Sequence, residues 1–136
     1  MSAPDLATDE EEFHSSFRVF LNAVAMLASS PEEQCQLMGN YNVAWELKDD
    51  VQAGKFLVGR GYLAPNEEAW VQALSAALDP IDTHVLPGGS GRDTNLLAMS
   101  HHSWAPARYL AAEVLRNLAV SATANAKYLQ LPQGAA

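Results

Sequence analysis

The stretch 9-DEEEFHSSFRVFLNAVAMLA-28 decides the fold class. Phe13, Phe17, Phe20, Val24 and Leu27 recur at intervals of four, three, four and three, which lines one face of an α-helix. A half-buried strand would alternate every second residue, and no convincing run of that kind occurs in the chain. Thr8 stands before the helix with Glu11 three residues on, a capping box. The acids at 9–12 suit the positive end of the helix dipole.

Outward from this helix, the same logic repeats. Ser29–Ser30–Pro31 ends it and starts another, with Ser30 as N-cap, Pro31 at the first helical position and Glu33 completing the box. This second helix is expected to run from 31 to between 53 and 58, with Leu37, Tyr41, Ala44, Leu47 and Val51 on its apolar line. Gly39 and Gly54 are costly inside it, by roughly 1 kcal/mol each against alanine, and mark either close packing or a break. Gly59 and Gly61 stop it. Pro65 opens a third helix with Trp70, Leu74, Ala77 and Leu78 inward, and Asp79–Pro80 closes it. Residues 79–93 form an irregular Gly/Pro-rich crossover. A short helix follows over 94–102. Ser103 then caps a last long helix reaching Leu129, carrying Trp104, Arg108, Ala111, Leu115, Leu118 and Ala122 on one side, with Val120–Ser121 as its weak point. Residues 1–7 and 132–136 read as flexible tails. The expectation is an all-α, single-domain bundle of about four long helices plus one short helix, spanning 1–136.

The charge is one-sided. The chain has 16 acidic and 8 basic residues, a net charge of −8. Residues 1–50 hold ten of the acids and only two bases, Arg18 and Lys48, so that stretch alone carries the imbalance. Such a field repels nucleic acid and anionic lipid and attracts a basic partner. The competing reading is a solvated acidic face. A single cysteine, Cys35, excludes an internal disulfide. The first residues carry neither the basic nor the apolar region of a secretory leader, so none is expected, and no run of about 18 apolar residues occurs. The expected location is the cytoplasm, with no membrane partner.

The motifs carry little chemistry. The loop 86-LPGGSGRDT-94 has the glycines of a phosphate cradle. It lacks the lysine, the spacing and the preceding strand of the nucleotide-binding versions, and reads as a flexible crossover. Arg92, with Arg108, remains a candidate for anion binding. His101 and His102 are adjacent, so on a helix they diverge by about 100° and do not converge on one metal. A zinc site would draw further ligands from His14, His84, Cys35 or nearby acids, and no ligand spacing supports it. Cys35 lies beside Glu32 and Glu33, which oppose a thiolate. No metal, cofactor or catalytic residue is expected.

The informative stretch is 40-NYNVAWELKDDV-51. On one helix, Tyr41 and Trp45 share a side with Asp49, while Glu46 and Asp50 are four apart and share a face. Aromatics beside carboxylates make a protein-binding composition: the ring anchors and the acid selects a basic partner. The competing reading places both rings in the core. Tyr41, Trp45, Glu46, Asp49 and Asp50 are therefore the candidate partner-binding residues. The function expected is a small acidic module, not an enzyme, that neutralises a more basic protein. It is similar in size, charge and class to bacterial immunity proteins and antitoxins, without the signature of a named family. Two alternatives stand beside it. One is a small-ligand binder or enzyme with an anion site around Arg92, His101, His102 and Arg108. The other is a homo-oligomeric assembly or chaperone protein.

Overall fold

In the computed structural model the first two helices begin at side-chain capping boxes, whereas several later ones start without a side-chain cap. The structure describes residues 8–130, and the expected tails lie outside that range. Helix α1 is Asp9–Ala28. Thr8 and Glu11 form its capping box, with Glu11 N donating to Thr8 Oγ1 at 3.1 Å. Helix α2 is Pro31–Met38, started by the reciprocal Ser30–Glu33 box. Helix α3 is Val43–Gln52, followed by a 3₁₀ turn over Ala53–Leu57. Helix α4 is Pro65–Leu78, where Glu67 Oε1 accepts from Ala64 N at 2.9 Å. Helix α5 is Arg92–Met99, a second 3₁₀ turn covers His102–Trp104, and α6 (Ala105–Asn117) and α7 (Ala119–Tyr128) complete the chain.

The all-α class holds, and no strand occurs among the described residues. The count of helices does not match: seven are present where five were expected, because two long helices are each broken. The first break follows Met38. Gly39 takes φ +82°, and its N–H donates to the Cys35 carbonyl, a left-handed C-cap. Asn40 and Asn42 also have positive φ, at 54° and 43°. Asparagine tolerates this conformation better than other side chains do. The second break is at Leu118, whose buried side chain sits between α6 and α7.

The first break is held by one side chain. Asn95 of α5 is buried, at 1% exposure. Its Oδ1 accepts from Val43 N at 2.8 Å, the first residue of α3. Its Nδ2 lies on the carbonyls of Asn40 (2.9 Å), Gly89 (3.2 Å) and Gly91 (2.7 Å). Tyr41 and Ser90 pair as an isolated antiparallel bridge, with Asn42 N donating to Gly89 O and Gly91 N donating to Asn40 O. The glycine-rich loop is thus clamped against the α2–α3 break and is not a free crossover. Ile81 and Leu86, at either side of the turns in the same segment, are buried.

A second buried amide joins α1 to α2. Gln34, fully buried, places Nε2 on the carbonyls of Met26, Leu27 and Ser29 at 3.0–3.1 Å. These carbonyls lie at the end of α1, where the helix runs out of backbone donors, although that of Met26 also accepts from Ser29 N at 3.0 Å. The core is one contiguous cluster drawn from α1 to α6, with Phe13, Phe17, Leu21, Leu27, Leu47, Leu74, Met99 and Trp104 among its largest members. Helix α1 is its hub, packed most extensively on α6 and then on α3 and α7. Gly54 shows the other use of glycine. A Cβ there would meet the Phe20 ring, with Cδ1 at 2.8 Å, and Val71 Cγ1 at 3.1 Å.

Two outcomes follow for stability. Asn95→Ala leaves the Val43 N–H without its partner and is expected to cost about 2–3 kcal/mol in urea unfolding. Asn95→Asp lacks the amide donors and buries a charge, so it is expected to be less stable still at neutral pH. Gly54→Ala is expected to lose about 1–3 kcal/mol by overpacking against Phe20, seen as a lower Tm.

Candidate interaction surface

Helix α3 has two shoulders, and side-chain hydrogen bonds tie one of them to neighbouring elements. On one side Lys48 Nζ donates to the Ile81 carbonyl at 2.6 Å. Gln52 Nε2 donates to Ser75 O at 3.0 Å and to Asp79 Oδ1 at 2.9 Å. These bonds tie α3 to the end of α4 and the segment after it. Val43, Ala44, Leu47 and Val51 point into the core. The helical period then sets Trp45 and Asp49 outward and Glu46 and Asp50 on the shoulder facing α1.

Trp45 is 50% exposed and Tyr41 60% exposed, so neither ring belongs to the core. Tyr41 lies in the break before α3, not on the same helix as Trp45. Leu37, also placed on the apolar line, is exposed. Trp45, Lys48, Asp49, Gln52 and Thr83 line a small cleft of about 150 Å³. Partial burial, and then the neighbouring Asp49 and Glu46 carboxylates, push the Asp50 carboxyl above the ordinary aspartate range.

Along the same shoulder runs a groove that the sequence reading missed. Two adjoining cavities, about 320 and 260 Å³, share Val19 of α1 and Asp50 of α3. The first continues to Phe20, Phe56 and Leu57, and the second to Ala23, Met26, Met38 and Leu47. Val19 and Phe56 are 62% and 69% exposed. Val19 and Met26 are seven residues apart, a second apolar line on α1 beside the one that builds the core. That line was the available signal.

The other candidates are placed differently. Arg108 is engaged inside the fold: its Nη2 donates to the Met99 carbonyl at 3.0 Å, at the end of α5, and reaches Gln34 Oε1 at 3.5 Å. Arg92 opens α5, and its charge is felt at Cys35. The Cys35 thiol is raised, first by burial, with Arg92 opposing and Glu32 adding. A raised thiol is a poor nucleophile. His101 and His102 lie in a 3₁₀ start, not on one α-helix, and their rings approach to 4.3 Å. His101 Nδ1 is already engaged by Ser103, with its Oγ at 2.8 Å and its N–H donating at 3.2 Å. Among the described residues, no three His, Cys, Asp or Glu side chains gather where a metal could bind. None of the described helices is long and apolar enough to cross a membrane.

A second cluster absent from the sequence reading closes one end of the bundle. His14 stacks on Tyr128 at 3.9 Å and is joined through Nδ1 to Asn125 Oδ1, while Asn125 Nδ2 donates to His14 O at 3.0 Å. Arg60 pairs with Asp9 at 2.6 Å, and that bond holds the Asp9 carboxyl below its usual range. The Tyr62 hydroxyl donates to Asp9 Oδ2 at 3.2 Å. These contacts fasten α7 and the 59–62 turn to α1.

The raised Asp50 carboxyl gives a pH-dependent outcome. An acid raised in the folded state binds a proton more readily there than when unfolded, so its ionisation weakens the fold as pH rises through the shifted range. Asp50→Asn is therefore expected to raise Tm slightly at neutral pH, with the gain vanishing below the ordinary aspartate range. Thermal melts across pH check this.

Comparison with models of protein families, with curated proteins and with solved structures found no match to this chain.

Proposed function

We propose that this protein is an acidic protein-binding module whose α3 face docks a more basic partner. The observation that carries the reading is the pairing on that face of half-exposed Trp45 with Glu46, Asp49 and Asp50, an aromatic anchor within a patch of acid. Tyr41, held at the neighbouring break by the bridge to Ser90, extends the anchor. Exposed aromatics of this size are costly to leave in water and are enriched where partners bind. The carboxylates favour a cationic surface, speed its approach and disfavour nucleic acid and anionic membranes. The form of the reading that best uses the chain's one-sided charge is an inhibitor covering a basic toxin or effector, working in the cytoplasm without cofactor or catalysis.

The experiment is capture of the partner from the native host with the wild-type chain and with two variants. Trp45→Ala is expected to cost about 2 kcal/mol, roughly thirtyfold in Kd. Reversal at Glu46→Lys, Asp49→Lys and Asp50→Lys is expected to weaken the stoichiometric complex further and to flatten its salt dependence. A complex of unchanged affinity in both variants sinks this surface.

A further inference from the structure

We propose that the groove between α1 and α3 receives an amphipathic helix of the partner, with a lysine or arginine of that helix set against Asp50. The inference rests on the protein-binding reading above and specifies how the partner is held. The groove runs from Ser15 to Met26 along α1, about 16 Å, or three turns of a bound helix. Its two cavities lie one beyond the other with Val19 and Asp50 at their junction, which suits apolar anchors one to two turns apart.

Three features select this occupant. Both walls are helices, so no strand edge offers main-chain hydrogen bonds, and a bound backbone must satisfy its own, as a helix does. The lining is largely apolar, from Val19, Ala23 and Met26 to Leu47, Phe56 and Leu57, so the occupant needs an apolar face. Asp50 stands between the two cavities with Glu46 and Asp49 beside it, and no ion pair engages it among the described residues. A cation placed there relieves a concentrated negative field. The cations at the Phe56 end do not fill that role: Arg60 is paired with Asp9, and Lys55 lies over the Phe56 ring. An anionic lipid would meet the carboxylates and be repelled.

The test uses a panel of synthetic amphipathic helical peptides of about five turns, leucines on one face and one lysine at a varied position, each with a glutamate-for-lysine control. They are titrated into isotope-labelled full-length protein by NMR. Lysine peptides are expected to shift Val19, Ala23, Met26, Asp50 and Phe56, and to bind at least tenfold tighter than their glutamate controls. Val19→Arg, at an exposed site that leaves the core intact, is expected to weaken them at least tenfold. Asp50→Lys is expected to invert the preference toward glutamate peptides. Binding by no member of the panel, shifts centred elsewhere, or equal affinity for lysine and glutamate peptides overturns the proposal. So does a concentration-dependent dimer that Val19→Arg disperses, since a second copy would then occupy the groove. A host partner that is lost with Trp45→Ala yet bound normally by Val19→Arg and Phe56→Ala overturns the groove and leaves the protein-binding reading standing.

Discussion

The carboxamide of Asn95 is the constraint on which the architecture turns. Its oxygen caps the first N–H of α3, and its nitrogen holds three carbonyls from two separate segments. Without it, the break with left-handed Gly39, Asn40 and Asn42 would leave polar backbone unpaired inside the fold, a cost of about 1–3 kcal/mol for each such group. With it, the chain can stop α2, turn and restart α3 in a new direction. That redirection lets Val43, Ala44, Leu47 and Val51 enter the core while Leu37 and Tyr41 stay outside. Gln34 does the same work at the α1–α2 joint, and Arg108 links that amide to the end of α5. Polar side chains at helix junctions therefore set the helix directions, and the apolar core fills the space they define.

This explains which parts of the fold were legible in the sequence. The starts of α1 and α2 were readable because a capping box is local: Thr8 needs only Glu11, and Ser30 only Glu33. The core stripe of α1 was readable because five residues repeat at the helical period. The break after Met38 was offered by Gly39 only as one of two readings, since helical spacing continues through Leu37, Tyr41 and Ala44 and the side chain that pins the break lies 52 positions beyond Val43. Gly39 and Gly54 were both flagged, and they proved to be different things: a left-handed cap at one and a close approach to Phe20 at the other. Nothing local distinguishes them, because the difference lies in what packs nearby. The division at Leu118 falls at a buried leucine and not at a glycine or proline.

The surface was legible in its charge and less so in its shape. Concentration of acid in the first 50 residues pointed to α1–α3, and Trp45, Glu46, Asp49 and Asp50 do fall on exposed or half-exposed parts of one helix. Tyr41 joined them for the wrong reason, as it borders α3 without belonging to it. Arg108 and Arg92 looked alike as surface cations, yet Arg108 is spent on a carbonyl at 3.0 Å. The groove stayed hidden because it needs residues from three places, α1, α3 and the 3₁₀ turn, whose adjacency depends on the break at 39–42.

The asymmetry of α3 links these observations. Lys48 and Gln52 bind one shoulder to its neighbours, so that side is complete within the fold. The opposite shoulder holds an exposed carboxylate raised by partial desolvation and by like charges, beside apolar side chains that remain exposed. A fold selected for stability alone would place a lysine near Asp50 or exchange Phe56 and Val19 for polar residues. Each of those changes would also remove a feature that the proposed basic, amphipathic partner would use. Like charges crowded beside exposed apolar side chains on one side of one helix are the feature that the proposed partner would complement.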